Sequence, residues 1–313
     1  MCTEFFLKTK ENNLISGRTF DFPFDPVYSI DYIKKNDSIF ILDCTNKEFL
    51  YSYSQYNYMF LYCFNNKKMI ADGMNDSGLI VNVLWLEDTI YAPKDMLNEF
   101  IFFLDIPKII LSQCQNISEV KDILKNKKVW HHPVEINDKN TIVGKLHYAV
   151  HDKNHESIII EIENGMIVFT ENELQLITNQ PYYDWHEKNI DNYLHLSNTT
   201  IVNTKSKKKD LHSNVNGNGL VGIPGDFTSI SRFIKIEKLI SFIPDKKYND
   251  SDTIAIVDKI IGNVTIPQYG MIEKKDNQEI MAHSYYTVIK NQNKLEWYIK
   301  KDIDINYTVF SMK

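Results

Sequence analysis

The order of short strand-like runs is the feature of this 313-residue chain that most restricts its fold. Strand-like runs cluster, segments with helical periodicity follow, and strands return towards the end of the chain. A parallel sheet needs a long crossover, usually a helix, after nearly every strand, and this order does not supply one. The pattern therefore predicts sheets covered by helices. No repeat or flexible linker divides the chain, so we predict a single domain over residues 1–313.

The individual elements follow from local periodicity and turn residues. Strands are predicted at 2–9, 14–22, 38–42, 58–64, 79–86, 147–151, 157–161, 166–170, 174–178, 281–290, 295–300 and 307–312. Helices are predicted at 182–194, 228–242, 252–261 and within 94–125, where Pro107 and the stretch near Asn116 interrupt the pattern. Ser118 is the predicted cap of the helix that follows this second break.

The first two strands flank the polar turn Lys10-Glu11-Asn12-Asn13, which predicts a hairpin. A turn centred on residues 11 and 12 places Cys2 opposite Asp21, on the same face of the ribbon. A carboxylate there could hold a free amine at Cys2. In a regular strand Arg18 faces away from Asp21, so a bulge or twist is needed for both side chains to reach Cys2.

Cys2 is the strongest candidate for a chemical role. Met1 is expected to be removed because the second residue is small, which leaves a residue with both a thiol and a free α-amine. The thiolate is the nucleophilic form of cysteine, and an α-amine with a pKa of about 7.7–8.0 is a base near neutral pH. One residue then supplies both nucleophile and base, as in enzymes with an N-terminal threonine. No cofactor is implied.

Composition argues against several kinds of partner. The formal net charge of −6 disfavours nucleic acid, which requires a basic surface. The basic run at 205–209 stands among Asn, Ser and Gly and is predicted to be a solvated loop. No apolar run approaches the length of a membrane span, and no signal peptide is recognisable, so a cytoplasmic location is expected. Four cysteines without paired spacing indicate no disulfide framework.

Three other classes of protein remain open at this point. A metal enzyme would use His147, His151 and His155, but these lie on a predicted strand and turn, without a zinc-binding motif. A cysteine–histidine protease would need an internal nucleophile, and Cys44, Cys63 and Cys114 have no recognisable flanking motif. A binding protein without catalysis could use a ring-rich pocket for sterols or acyl chains, since the chain has 18 Tyr and 17 Phe.

Five blocks in order along the chain resemble the choloylglycine hydrolase family, which contains bile salt hydrolases and penicillin V acylases. The blocks are Met1-Cys2-Thr3, Gly17-Arg18-Thr19-Phe20-Asp21, Ala71-Asp72-Gly73-Met74-Asn75 with Gly78-Leu79, Thr178-Asn179-Gln180-Pro181 with Asp184-Trp185-His186, and Gly222-Ile223-Pro224-Gly225-Asp226-Phe227 with Ser231-Arg232-Phe233. The resemblance implies an α+β N-terminal nucleophile hydrolase fold. This fold is a four-layer αββα sandwich with two packed antiparallel sheets.

The resemblance also implies roles for matched residues. The implied catalytic residues are Cys2, Arg18, Asp21, Asn179 and Arg232. The backbone N–H of Trp85 and the side-chain amide of Asn179 would stabilise the oxyanion formed during amide hydrolysis. Phe20 and Trp85 would contact the substrate. We expect Asn75 and Asp226 to be structural, the latter as a cap for the helix after Pro224-Gly225.

Substrate preference depends on Trp85 in this interpretation. Bile salt hydrolases usually carry Asn at the matching position, whereas penicillin V acylases often carry an aromatic residue. The sequence therefore favours a penicillin V acylase-like enzyme that cleaves a linear, non-peptide amide, with conjugated bile salt hydrolysis as the alternative. The roughly 40 residues between Asn179 and Gly222 resemble an excursion that family members use in tetramer assembly, so a homotetramer is expected.

Overall fold

The computed structural model describes residues 1–93, 100–137, 140–244, 248–275 and 278–312. Strands dominate this part of the chain. They are β1 (Cys2–Lys8), β2 (Leu14–Phe22), β3 (Ser29–Ile33), β4 (Ser38–Leu42), β5 (Glu48–Tyr53), β6 (Tyr58–Tyr62), β7 (Ile70–Asn75), β8 (Ile80–Trp85), β9 (Phe100–Phe102), β10 (Lys128–Trp130), β11 (Val134–Asn137), β12 (Asn140–Ile142), β13 (Leu146–His151), β14 (Ser157–Glu163), β15 (Met166–Glu171), β16 (Leu176–Ile177), β17 (Asn203–Ser206), β18 (Lys209–His212), β19 (Met271–Lys275), β20 (Gln278–Asn291), β21 (Glu296–Lys301) and β22 (Thr308–Ser311).

The helices lie between the strand clusters, as the order of patterns predicts. They are α1 (Asp105–Gln113), α2 (Ile117–Leu124), α3 (Tyr183–Ile190), α4 (Ser229–Ser241) and α5 (Asp250–Gly262). Short 3-10 turns occupy Asp191–Tyr193 and Asn218–Leu220.

Two large sheets hold most of the strands. The first has the order β16-β1-β2-β20-β21-β22, with β19 paired to β20, and all its neighbours are antiparallel. The second has the order β3-β6-β7-β8-β13-β14-β15-β10-β9 and is antiparallel except for the parallel pair β9 and β10. The strands β4 and β5, β11 and β12, and β17 and β18 form three small hairpins.

The two sheets pack against each other between layers of helix. Helices α4 and α5 cover the first sheet, and α1 and α2 contribute to the apolar core of the second. Glycines in β2 and β7 allow the close approach of helix and sheet. A Cβ atom at Gly17 would lie 2.4 Å from Val257 of α5, and one at Gly73 would lie 2.2 Å from Leu111 of α1. The predicted four-layer α+β sandwich with two antiparallel sheets is therefore confirmed.

Every predicted strand and helix has a counterpart, but several strands were missed. Strand β7 reads Ile-Ala-Asp-Gly-Met-Asn and lacks the residues typical of strands, because its tertiary position overrides local propensity. The lysine run at 205–209, predicted as a loop, forms most of an exposed hairpin. Residues 94–99 of one predicted helical segment lie outside the described residues.

Two helix boundaries also differ from the prediction. Pro107 does not break a helix but lies in the first turn of α1, where its missing N–H costs no hydrogen bond. Helix α2 is capped by Asn116, whose side chain accepts from the Glu119 N–H at 2.9 Å, and not by Ser118.

The register of the first hairpin is shifted by one residue from the prediction. Cys2 pairs with Phe20 and not with Asp21, so the predicted pairing was wrong. The loop contains three residues instead of two: the Thr9 N–H donates to the Asn13 carbonyl at 2.9 Å, and Asn12 adopts a φ of 61°. Asparagine tolerates this left-handed conformation, which completes the three-residue turn. Arg18 consequently shares a face of the ribbon with Cys2.

Candidate active site

Cys2 begins β1 and lies on the face of the first sheet that meets the second. Its side chain is 3% exposed. The Cys2 Sγ atom accepts a hydrogen bond from Arg18 Nη2 at 3.4 Å. Strand alternation explains why Arg18 reaches Cys2. Cys2 lies opposite Phe20, and Arg18 lies two residues from Phe20 on the same face of the ribbon. The guanidinium therefore places a fixed positive charge beside the sulfur.

Arg18 joins the two sheets beneath the thiol. Its guanidinium donates to the backbone carbonyls of Ala71 and Val83, the second at 2.6 Å, and forms an ion pair with Asp72. Arg18 and Asp72 are both fully buried. Burial alone would lower the pKa of Arg18, but the Asp72 carboxylate raises it above the ordinary value. The cation beside Cys2 is therefore permanent.

Asp72 and Lys290 complete this cluster and were not identified from the sequence. Lys290 Nζ lies 2.5 Å from Asp72 Oδ1 and also donates to Asn82 Oδ1. Asp72 belongs to one of the quoted blocks, so that match was an available signal. Lys290 lies in β20 without any motif, and only the packing of the two sheets brings it to Asp72.

Asp21 lies on the opposite face of the ribbon, towards the helices. The pairing of β2 with β20 has a bulge between Phe20 and Asp21. A bulge or twist was expected in this strand if Arg18 and Asp21 were both to approach Cys2. The Asp21 carboxylate accepts from Thr19 Oγ1 at 3.1 Å and from Ser284 Oγ, and Arg232 Nη1 lies 3.6 Å away. Asp21 is thus linked to the main chain of Cys2 through Arg232, which also donates to the Cys2 carbonyl.

Asn179 and Arg232 hold the backbone of Cys2. The Asn179 Oδ1 atom accepts from the Cys2 N–H at 2.8 Å and from Arg232 Nη2 at 2.7 Å. Arg232 Nη1 also donates to the Cys2 carbonyl at 2.5 Å and to Thr3 Oγ1. Because two donors meet Oδ1, the orientation of the Asn179 amide is defined by its hydrogen bonds.

The amide nitrogen of Asn179 faces the end of β8. Asn179 Nδ2 donates to the Trp85 carbonyl at 2.7 Å, so the side chain of Asn179 and the backbone of Trp85 lie side by side next to Cys2. The structure thereby brings together Cys2, Arg18, Asp21, Asn179, Arg232 and Trp85, which lie far apart in sequence.

A small apolar pocket opens beside the sulfur, with a cavity volume of about 70 Å³. Phe20 and Trp85, the two predicted substrate contacts, both line it. Its other walls include Met1, Phe22, Cys63, Phe64, Ile70, Val83, Leu104 and Leu146. Phe20 is held by stacking on Tyr286, with ring centroids 4.8 Å apart. The Trp85 indole donates to Glu87 Oε2 at 2.9 Å.

Met1 is one of the residues that line this pocket. Its amine donates to the Asp21 carbonyl at 2.5 Å, and burial lowers the pKa of that amine. With Met1 in place, Cys2 contributes an amide N–H and not an amine, so it has no base of its own.

Two polar residues of the matched blocks, Asn75 and Asp226, have structural contacts. Asn75 Nδ2 donates to the carbonyls of Leu111 and Cys114 at 3.0 and 2.7 Å, which fixes the end of α1. Asp226 accepts from the Thr228 N–H at 2.9 Å and from Ser231 Oγ at 2.7 Å, and these hydrogen bonds lower its pKa to about 2. The N-terminal cap of α4 is the side chain of Thr228, and not that of Asp226 as predicted. Asp226 supports this cap through its hydrogen bonds with Thr228 and Ser231.

Two of the three histidines considered as metal ligands, His147 and His151, have other partners. His147 Nε2 lies 3.1 Å from the Thr178 carbonyl, and His151 Nε2 lies 3.0 Å from Glu4. Among the described residues, no three His, Cys, Asp or Glu side chains form a group that could hold a metal ion. All four cysteines are free. Over the same ranges, every helix is too short or too polar to cross a bilayer.

His186 supports Asn179 and should make folding stability depend on pH. Its Nε2 atom lies 3.0 Å from the Asn179 carbonyl, and burial lowers the pKa of its imidazole to about 4 from 6.5. Because the unfolded chain takes up this proton first, the contribution of His186 is present above pH 6.5 and is lost as the pH falls towards 4. The loss should reach about 3 kcal/mol.

Urea unfolding of the wild type and His186→Asn between about pH 4.5 and 7 measures this contribution. The variant should show a smaller fall in unfolding free energy across the window, because asparagine does not titrate. Equal slopes in the two proteins would contradict the prediction.

Comparisons with known proteins agree with this geometry. A family model described as linear amide C–N hydrolases, choloylglycine hydrolase family, matches residues 2–312. The chain is 30% identical to a bile salt hydrolase/transferase from Clostridium perfringens over 279 residues, which cover 85% of this chain and 79% of that protein. It is 25% identical to a penicillin V acylase from Pectobacterium atrosepticum over 275 residues, which cover 81% of this chain and 65% of that protein.

Solved structures show the same fold. A mutant of conjugated bile acid hydrolase from Clostridium perfringens superposes with a TM-score of 0.85 at 24% identity, covering 100% of this chain and 92% of the other. Penicillin V acylase from Agrobacterium tumefaciens gives a TM-score of 0.77 at 19% identity, covering 99% and 86%.

Proposed function

The chain belongs to the choloylglycine hydrolase family of linear amide C–N hydrolases, and from this premise we propose that it hydrolyses conjugated bile salts through an acyl-thioester on Cys2. The observation that carries the proposal is the position of Cys2 Sγ, 3.4 Å from Arg18 Nη2 at the edge of an apolar pocket. The apolar lining of this pocket suits a hydrophobic acyl group, and a thiol at its edge suits attack on the attached amide.

The proposed nucleophile requires removal of Met1. The nitrogen of Cys2 would then become an α-amine within 2.8 Å of Asn179 Oδ1, which can accept a hydrogen bond from it. This amine takes the thiol proton, and the thiolate attacks the amide carbonyl to form a tetrahedral oxyanion. The C–N bond breaks as the amine of Cys2 passes its proton to the departing nitrogen.

Hydrolysis of the thioester reuses the same groups. The free amine of Cys2 takes a proton from water, hydroxide adds to the acyl carbon, and the C–S bond breaks to release the acid. We propose that Asn179 Nδ2 and the Trp85 N–H stabilise the oxyanion in both stages. Asp21 and Arg232 would orient the amine through the contacts described above.

Bile salts are preferred over penicillin V as proposed substrates because of the comparisons. The bile salt hydrolase/transferase from Clostridium perfringens matches at higher identity and over more of its own length than the penicillin V acylase from Pectobacterium atrosepticum. The preference for an acylase that the sequence suggested is therefore replaced by its alternative. Trp85 keeps penicillin V as the second candidate, since its ring lines the pocket and could stack on a phenoxy group.

The test compares kcat/KM of the Met1-processed protein for glycocholate, taurocholate and penicillin V. Higher values for either bile salt support the proposal, and a higher value for penicillin V would favour the second candidate. If none of the three compounds is hydrolysed, both candidate substrate classes are rejected. The substrate would then be another linear amide.

Protein in which Met1 is retained provides the matched control. It can be produced by inhibiting methionine aminopeptidase during expression. It should bind bile salts weakly or not at all and should show no turnover, because Met1 lines the pocket and Cys2 lacks an amine. Activity equal to that of the processed protein would exclude the amine of Cys2 as the base.

Replacing Asn179 by alanine should lower kcat by about 10²–10³-fold, the usual cost of losing one oxyanion donor. The amide also orders the main chain of Cys2 through Oδ1, so an aspartate variant separates the two roles. Asn179→Asp keeps the acceptor and loses the donor, and it should lose as much kcat as the alanine variant. Steady-state kinetics of both variants measures this, and near-normal kcat in Asn179→Asp would remove Asn179 from the oxyanion site.

We also propose that the chain forms a homotetramer through the segment 194–222. The segment contains the hairpin of β17 and β18 and exposes apolar side chains, among them Leu194 at 71% and Val221 at 72%. Exposed apolar groups in one segment are typical of an interface between subunits. Sedimentation equilibrium should give a mass near four times the 36.7 kDa of the chain, and a monomer mass would reject the proposal.

A further inference from the structure

A buried cluster of charges below Cys2 contains more cations than anions. Arg18, Lys290 and Asp72 are all fully buried. Asp72 offers one carboxylate oxygen to Arg18 and the other to Lys290. The cluster therefore carries two positive charges and one negative charge, and a buried excess charge is costly unless something compensates it.

The thiolate of Cys2 is the group that can compensate this charge. Its sulfur already accepts from Arg18 Nη2. With Cys2 as a thiolate, the cluster contains two cations and two anions. Without Lys290, Arg18 and Asp72 would cancel each other, and a thiolate would then be the uncompensated charge.

We propose that Lys290 is a positioning residue for amide hydrolysis, which supplies the second buried cation and thereby keeps Cys2 in the thiolate form. Lys290 acts through Asp72 and Arg18 and does not touch the sulfur. This inference rests on the proposed role of Cys2 as nucleophile. The Nζ atom has two oxygen acceptors, on Asp72 and Asn82. Burial lowers the pKa of Lys290, and the Asp72 carboxylate opposes this effect and favours the ammonium form.

The other carboxylates around Cys2 have basic partners of their own. Asp21 is paired with Arg232 at 3.6 Å on the helix side of the ribbon. Glu4 lies 3.0 Å from His151 Nε2, and its charge also favours the ammonium form of Lys290.

Two further groups near the sulfur are neutral at ordinary pH. Burial raises the pKa of the Cys63 thiol and that of the Tyr286 phenol. The remaining group is the amine of Cys2, which is itself the proposed acceptor of the thiol proton.

The experiment measures the reactivity of Cys2 directly, without a substrate. Met1-processed protein is treated with iodoacetamide at a series of pH values, and the rate of carbamidomethylation at Cys2 is followed by mass spectrometry. Lys290→Gln keeps a hydrogen-bond donor for Asp72 and removes the charge. This variant should react about tenfold more slowly near pH 6, with its titration midpoint raised by about one pH unit.

Two variants serve as controls for charge and for folding. Lys290→Arg keeps the charge and should titrate like the wild type. Lys294→Gln removes an exposed lysine from the turn after the same strand and should change nothing. Steady-state kinetics should show the loss in Lys290→Gln as lower kcat near pH 6 with little change in KM.

A second substitution protects the test against a variant that does not fold. Asn82→Asp keeps Lys290 and places a carboxylate next to its ammonium, so it should also raise the titration midpoint of Cys2. At least one of the variants Lys290→Gln and Asn82→Asp should be folded. If a folded variant has the same Cys2 titration midpoint as the wild type, the proposal is overturned. Failure of bile salts as substrates would leave the alkylation results intact, so the two proposals fail separately.

Discussion

Replacing Cys2 by alanine should reduce amide hydrolysis by at least about 10⁴-fold while leaving the protein folded. The substitution removes the sulfur that lies 3.4 Å from Arg18 Nη2, and no other thiol of the chain has such a contact with Arg18. The amine, the Asn179 amide and the pocket remain. The loss should therefore appear in kcat, because the missing group acts on the reacting carbonyl and contributes little to binding.

The matched control is Cys44→Ala, which removes a partly exposed thiol outside the site. Its kcat should equal that of the wild type. Circular dichroism and thermal melting establish that both variants are folded. Glycocholate binding to Cys2→Ala, measured by calorimetry, should persist near the wild-type KM. Measurable turnover in Cys2→Ala would reject Cys2 as the nucleophile and reopen the case for an internal cysteine.

Replacing Asp72 by asparagine should lower the free energy of unfolding by about 3–5 kcal/mol, the usual cost of leaving buried charges without their partner. Asp72 is the single carboxylate between the buried cations Arg18 and Lys290. Asparagine has nearly the same shape, so loss of packing does not account for the effect. Its amide can also turn a donor towards one of the cations, which adds to the penalty.

Urea unfolding of Asp72→Asn against Asp76→Asn measures the effect. Asp76 is exposed and bonds Asn57 at 2.6 Å, so its neutralisation should cost less than about 1 kcal/mol. Adding Lys290→Met to Asp72→Asn should recover part of the loss, since one uncompensated cation is removed. A cost below about 1 kcal/mol for Asp72→Asn would show that the cluster does not depend on this carboxylate.

The sequence could predict which residues lie together around Cys2 but not their arrangement. Cys2, Arg18, Asp21, Asn179 and Arg232 were identified because they stand in short ordered blocks, and the structure brings all five together. Their directions were not predictable from the hairpin, since one additional residue in the turn exchanges the two faces of the ribbon. The left-handed conformation of Asn12 produces the three-residue turn. The sequence alone allowed either a two-residue or a three-residue turn.

The buried ion cluster was missed for a different reason. Arg18 and Lys290 come from opposite ends of the chain, while Asp72 lies on the second sheet, so only tertiary packing creates their contacts. A charged residue within a predicted strand is usually an exposed one. The same limit applies to β7, whose sequence is poor in strand-forming residues but which is held between two strands of the sheet.

The hydrogen bonds of Arg18 to carbonyls of the second sheet have a consequence for folding experiments. Arg18 belongs to the first sheet, whereas its acceptors at Ala71 and Val83 belong to the second. If the sheets separate by even a few ångströms, the guanidinium leaves its acceptors and the sulfur becomes an ordinary thiol exposed to solvent. The alkylation rate of Cys2 at low pH is then a local gauge of sheet docking. It would distinguish a molecule with native secondary structure but loosened layers from one that is fully assembled.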